Sequence, residues 1–177
     1  VVVTSGEGTA TSSGVVLIRS SNSGVAGVSG SLLFSSGTSK TGNSGRVHMG
    51  TGAATAGRGG AVVVTVGSGT SGSGGLVQVH AGRSMVHTGG AVHVSSGEGT
   101  ATSSGAITIR SVNAGAAGTS GYLSFSSGSS VTGNSGYIHM GTGVETAGRG
   151  GMVLISVGSG TSSVGGMLQA LAGRSTV

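Results

Sequence analysis

The sequence predicts an all-β chain, a narrow β-solenoid of about twelve fifteen-residue coils, and three observations predict it. A Gly closes a unit every fifteen residues, so that the segments beginning at Val15, Ser31, Arg46, Ala61, Leu76, Ala91, Ala106, Tyr122, Tyr137, Met152 and Met167 share one register. Within each unit, apolar residues alternate with others at a period of two, the period of an extended strand. Above the unit sits a larger repeat: 5–86 matches 96–177 at a constant offset of 91, without a gap and with two thirds of the positions identical. Five units of fifteen and one of sixteen make that offset, and the long unit is the same in both copies, 15–30 and 106–121. Its extra residue is expected as a bulge at a corner. On this reading 1–177 is one rod of two six-coil repeats.

Each unit is numbered 1 to 15, with the closing Gly at 15. Positions 1 to 6 are the expected strand. Position 2 holds Val16, Leu32, Val47, Val62, Ile107 and Leu123, and position 4 holds Ile18, Phe34, Met49, Val64, Ile109 and Phe125; these two columns are the expected core files. Position 3 mixes Leu17, Leu33, His48, Val63, Gln78 and His93, as an outward or partner-facing column would. Position 7 is Gly in every fifteen-residue unit, as at Gly37, Gly52, Gly67 and Gly82, which suits a turn. Positions 8 to 12 are small and leave room for a second short strand, and the last three residues make the return turn. Coils stacked at about 4.8 Å would give a rod roughly 55–60 Å long. The alternative is a stack of hairpins in an antiparallel sheet, which would reverse strand direction and would not favour identical side chains in register.

No cap is legible at either end, so open backbone edges and head-to-tail continuation are expected. Charge marks the register. Arg83 and Glu98 both occupy position 8, one unit apart, and are expected to pair; Arg174 and Glu7 are their equivalents and would meet across a junction between copies. An exposed pair of this kind contributes about 0–1 kcal/mol.

Composition removes whole classes of function. The chain has no Cys, Pro, Trp or Asp, 2% aromatic residues and 41 Gly among 177 residues, which does not build a bulky globular core. With 6% charged residues and periodic Val, Ile and Leu it is not ordinary disorder either. Seven Arg and one Lys are spread along the chain without a cluster, too dilute a charge for nucleic acid. Three Glu, at positions 7, 98 and 145, form no carboxylate pair, and no Ser, His and acid recur in register, so no enzyme and no cofactor are expected. His48, His80, His87, His93 and His139 lack the Cys or Asp that would complete a metal shell. Gly67-Ser68-Gly69-Thr70-Ser71-Gly72 has dinucleotide-loop spacing, but a Gly-Gly pair and another extended segment follow where a helix is needed. No apolar run is long enough to span a membrane.

The runs GGAVVVTVGSGTSGSGG, SGAITIRSVNAGAAGTSG and GTGVETAGRGGMVLISVGSG resemble the Gly/Ser/Thr-rich tandem-repeat β-solenoid proteins of diatoms and other heterokont algae, and more loosely secreted β-solenoid adhesins. The resemblance spans the chain and implies a structural role outside the cell or at its surface. The function expected is therefore a self-assembling structural fibre, extended end to end. Its partners would be further copies of the chain, head-to-tail and laterally, and glycans. Alternatives are an ice-binding solenoid, which wants unbroken Thr or Ser files, and the stalk of a carbohydrate-binding adhesin. Position 10 interrupts Thr55, Thr70 and Thr100 with Val25, Lys40 and Met85.

Overall fold

The computed structural model describes residues 1–10, 12–161 and 164–173. Among the described residues there is neither helix nor strand, so the chain is not all-β and not a β-solenoid. A solenoid holds its strands by a ladder running from each coil to the next. Here the backbone–backbone hydrogen bonds among the described residues run between residues of one and the same unit, as from Gly14 N to Gly6 O (3.1 Å) and from Gly105 N to Gly97 O (2.9 Å). Where backbone groups bond to one another they therefore close a unit on itself, and the period-two segments remain extended and unpaired.

The fifteen-residue period survives as a rhythm of bends. They fall at 25–27, 40–42, 55–57, 70–72, 85–87, 100–102, 116–118, 131–133 and 146–148, each ending three residues before a closing Gly. Position 9 caps several of them: Ser39, Ser84 and Ser130 accept from the backbone N–H groups of Gly42 (3.0 Å), His87 (2.9 Å) and Gly133 (2.9 Å). At the same position the Glu145 carboxylate accepts from Thr146 N and Ala147 N. Side-chain oxygens that reach a backbone N–H a few residues on are a known local alternative to sheet or helix bonding. At Gly72 the bend takes φ +98°, a conformation an L side chain resists.

Bend and closing Gly together make a pinched loop whose neck joins positions 6 and 7 to position 15. Four necks are held by the N–H of the closing Gly, which donates to the carbonyl of the Gly at position 7: Gly14 to Gly6, Gly90 to Gly82, Gly105 to Gly97 and Gly166 to Gly158. Three others use the position 6 hydroxyl, which donates to the closing carbonyl: Ser20 to Gly30 (2.7 Å), Thr51 to Gly60 (3.2 Å) and Thr142 to Gly151 (3.4 Å). In the long unit the Ser20 bond spans ten residues instead of nine, so the extra residue is taken up inside the loop.

The chain divides into two units, Val1–Val92 and His93–Val177. The repeat 5–86 falls wholly within the first and 96–177 within the second. Neither contains a buried hydrophobic residue among those described. The expected core files therefore enclose no interior. Val16, Leu32, Val47, Val62, Ile107 and Leu123 are 47–59% exposed, and Ile18, Phe34, Met49, Val64, Ile109 and Phe125 are 57–74% exposed. The accessible surface is 17922 Å² for a 16.4 kDa chain. A compact protein of this mass exposes about 7,500 Å² and an extended chain roughly 24,000 Å², so the molecule stands much nearer the second limit.

Candidate functional site

Alternation still gives each extended segment two unlike sides. Position 2 side chains from Val16 to Val153 keep 47–59% exposure, whereas Leu17, Leu33, Val63 and Leu154 at position 3 keep 73–86%. Val66 and Val157, at position 6, are among the most covered apolar residues, at 46% and 45%. The even positions thus share the side of the segment that meets its own loop, and the odd positions point away from it.

The neck explains the closing Gly. In every described unit a Cβ added there would meet the position 6 side chain, at 3.3 Å from Ser5 for Gly14, 3.2 Å from Ser20 for Gly30 and 3.1 Å from Thr51 for Gly60. At Gly75 it would overlap Val66 Cγ1 outright, and at Gly166 it would lie 2.5 Å from Val157 Cγ1. The closing residue lacks a side chain because another side chain rests on its α-carbon. Position 6 therefore matters more than the sequence reading allowed. A signal for it was present: Ser5, Ser20, Ser36, Thr51, Val66 and Ala81 recur unchanged as Ser96, Ser111, Ser127, Thr142, Val157 and Ala172, in a repeat where a third of the positions differ.

The charged pairs occupy comparable places around the necks. Glu7, Arg83 and Glu98 each follow the Gly whose carbonyl closes a neck, namely Gly6, Gly82 and Gly97. Arg83 belongs to the first unit and Glu98 to the second. Arg174 lies outside the described residues, and with it the junction pair to Glu7.

Charge sorts by side. Within positions 1 to 6 the basic side chains Arg19, Arg46, His48, His80, His93, Arg110 and His139 all fall on odd positions, and no acid occurs there. The aromatic rings divide in the same way: Phe34 and Phe125 stand at position 4, Tyr122 and Tyr137 at position 1. His48 and His139 lie along their own segments, Nε2 coming within 3.3 Å and 3.1 Å of where a Cβ would stand on Gly50 and Gly141. Among the described residues there is no cavity, no grouping of three or more His, Cys, Asp or Glu side chains that could hold a metal, and no helix long and apolar enough to cross a membrane. The chemistry on offer is that of surfaces: an apolar even side, a mixed odd side that carries the basic residues of the segments, and unpaired backbone.

No known protein family, curated protein or solved structure matches this chain.

Proposed function

We propose that the protein is a structural component that assembles with copies of itself into a fibre outside the cell or at the cell surface. The observation that carries this reading is an apolar column without an interior. Every unit brings the same two side chains, positions 2 and 4, to one side, and the isolated chain leaves both at least about half exposed. Covering the remainder of each would contribute about 1 kcal/mol per side chain, repeated along the whole chain. The surplus surface over a compact protein of this mass is about 10,000 Å², several times what a stable protein–protein contact buries.

Unpaired backbone supports the same reading. The segments at positions 1 to 5 make no backbone–backbone hydrogen bond among the described residues, so their N–H and C=O groups are open to a second chain. Repetition at 15 and at 91 residues lets copies engage at many points at once, which multiplies weak contacts into a strong assembly. The resemblance to Gly/Ser/Thr-rich repeat proteins of algal surfaces agrees with this role and with its location, as does a composition free of catalytic and metal-binding sets.

Electron microscopy and sedimentation of the purified chain test the proposal. Filaments that sediment, and whose formation is slowed at least tenfold by the double substitution Phe34→Ser and Phe125→Ser, are expected. A chain that stays monomeric at concentrations where it can be imaged, or filaments indifferent to both substitutions, would overturn it.

A further inference from the structure

The two repeats differ in a patterned way. Over the first three full segments of each, the even positions stay apolar: Val16, Ile18, Leu32, Phe34, Val47 and Met49 become Ile107, Ile109, Leu123, Phe125, Ile138 and Met140. The odd positions change character. Leu17 and Leu33 are replaced by Thr108 and Ser124, and Ser31 and Arg46 by Tyr122 and Tyr137, while Arg19 and His48 persist as Arg110 and His139. The assembly side is thus held constant, and the opposite side of the second unit exchanges its two leucines for hydroxyls and gains two tyrosines, while Arg19 is kept as Arg110 and Arg46 is lost.

We propose that the odd side of segments 106–110, 122–126 and 137–141 binds an acidic polysaccharide, a sugar chain bearing carboxylate or sulfate groups. Tyr122 and Tyr137 are 90% and 89% exposed, and a phenol ring with an apolar face and a polar tip suits the C–H face and hydroxyls of a sugar. Arg110 supplies the positive partner, and the His139 imidazole adds a polar ring beside Tyr137. The imidazole of His139 is laid along its segment over the bare α-carbon of Gly141, between Tyr137 and the segment's end. No acid lies between Glu98 and Glu145, so nothing in this stretch repels an anion. Charge density selects the ligand class. Arg110 is the one side chain charged at neutral pH from 99 to 144, too sparse for the charge per about 1.7 Å of duplex DNA but suited to a polymer whose anions are separated by hydroxyl groups. Thr108, Ser124 and Ser126 provide matching hydroxyls.

The proposal is independent of assembly, because it uses the side that assembly does not. Its test is retention of the full chain on immobilised polygalacturonate, dextran sulfate, neutral dextran and duplex DNA. Retention on the two acidic glycans is expected, and polygalacturonate against dextran sulfate tells carboxylate from sulfate preference. The double substitution Tyr122→Ser and Tyr137→Ser should weaken it about tenfold, and Arg110→Ser up to about fivefold with a shallower salt dependence. Leu17→Ser with Leu33→Ser, in the first unit, should leave it unchanged. Sedimentation of the tyrosine variant as assemblies like those of the parent chain separates loss of binding from loss of assembly. Equal retention on neutral dextran, DNA retention as tight as that on the glycans, or glycan retention indifferent to the tyrosines would overturn the proposal.

Discussion

Replacing Gly166 with alanine tests the neck directly. Gly166 N donates to Gly158 O at 3.2 Å, and Val157 lies across the α-carbon of Gly166. Closing a loop of this length costs about 2 kcal/mol in chain entropy. Against that, an exposed backbone hydrogen bond contributes about 0.5–1.5 kcal/mol, and half-covering a valine about 1 kcal/mol. The closed neck is therefore balanced within a kcal/mol or so, and a small perturbation decides it. The new Cβ would come to 2.5 Å from Val157 Cγ1, closer than real side chains approach. Turning Val157 off its rotamer costs about 0.5–1.5 kcal/mol, and opening the neck forfeits both contributions. The closed form should therefore lose about 0.5–1.5 kcal/mol, a factor of roughly 2–13 in its population. Hydrogen–deuterium exchange resolved at residue 166 by NMR, with the through-space contact from the Val157 methyl groups to the residue 166 α-proton, reads that change. Gly166→Ala combined with Val157→Ala should recover much of the lost protection, since the clash is gone. Gly105→Ala, where the new Cβ would sit 3.4 Å from Ser96 Cβ, should leave its own neck intact. Unchanged exchange at residue 166, or a double variant no better than the single one, would refute the reasoning.

Two further outcomes follow from the bends. Gly72 has φ +98° and nothing within 4 Å of a Cβ, so Gly72→Ala should destabilise its bend by about 1–2 kcal/mol through backbone conformation alone. Gly57→Ala, at the same place in its own bend, with open space and no positive φ, should be neutral or stabilising by about 0.4–1 kcal/mol; amide–α-proton coupling constants distinguish the two, and equal responses would contradict the assignment. Ser84→Ala removes the acceptor 2.9 Å from His87 N and should speed exchange of that amide severalfold, at a cost of about 0.5–1 kcal/mol, while Ser84→Thr preserves protection.

Much of the local pattern was legible in the residues. The period of fifteen is present as bends that end three residues before the closing Gly in the nine units from 15–30 to 137–151, and the boundary between the two units falls between the matched stretches 5–86 and 96–177. The alternation of Val16, Leu17 and Ile18 predicts unlike sides, and the exposures of the even and odd positions bear out that inequality. Where the reading failed, it treated alternation as proof of pairing. A period of two states which way side chains point along an extended segment; it does not state what lies beside that segment. The same limit hides position 6. Ser20, Thr51 and Val66 differ in polarity, so no hydrophobic pattern unites them, and only their common contact with a closing Gly does.

The sequence by itself determined the register, the two unlike sides and the lack of Cys, Asp and paired carboxylates, because those follow from residue order and side-chain type. Only the tertiary structure decided which partner each backbone group takes. Gly82 and Gly97 could have bonded from unit to unit as a ladder, but each accepts from the closing Gly of its own unit, a partner only eight residues away. Closing so short a loop costs less entropy than aligning successive units, and with small residues at the neck nothing bulky opposes it. That local choice leaves the apolar columns without an interior in the single chain, and directs their burial to other molecules.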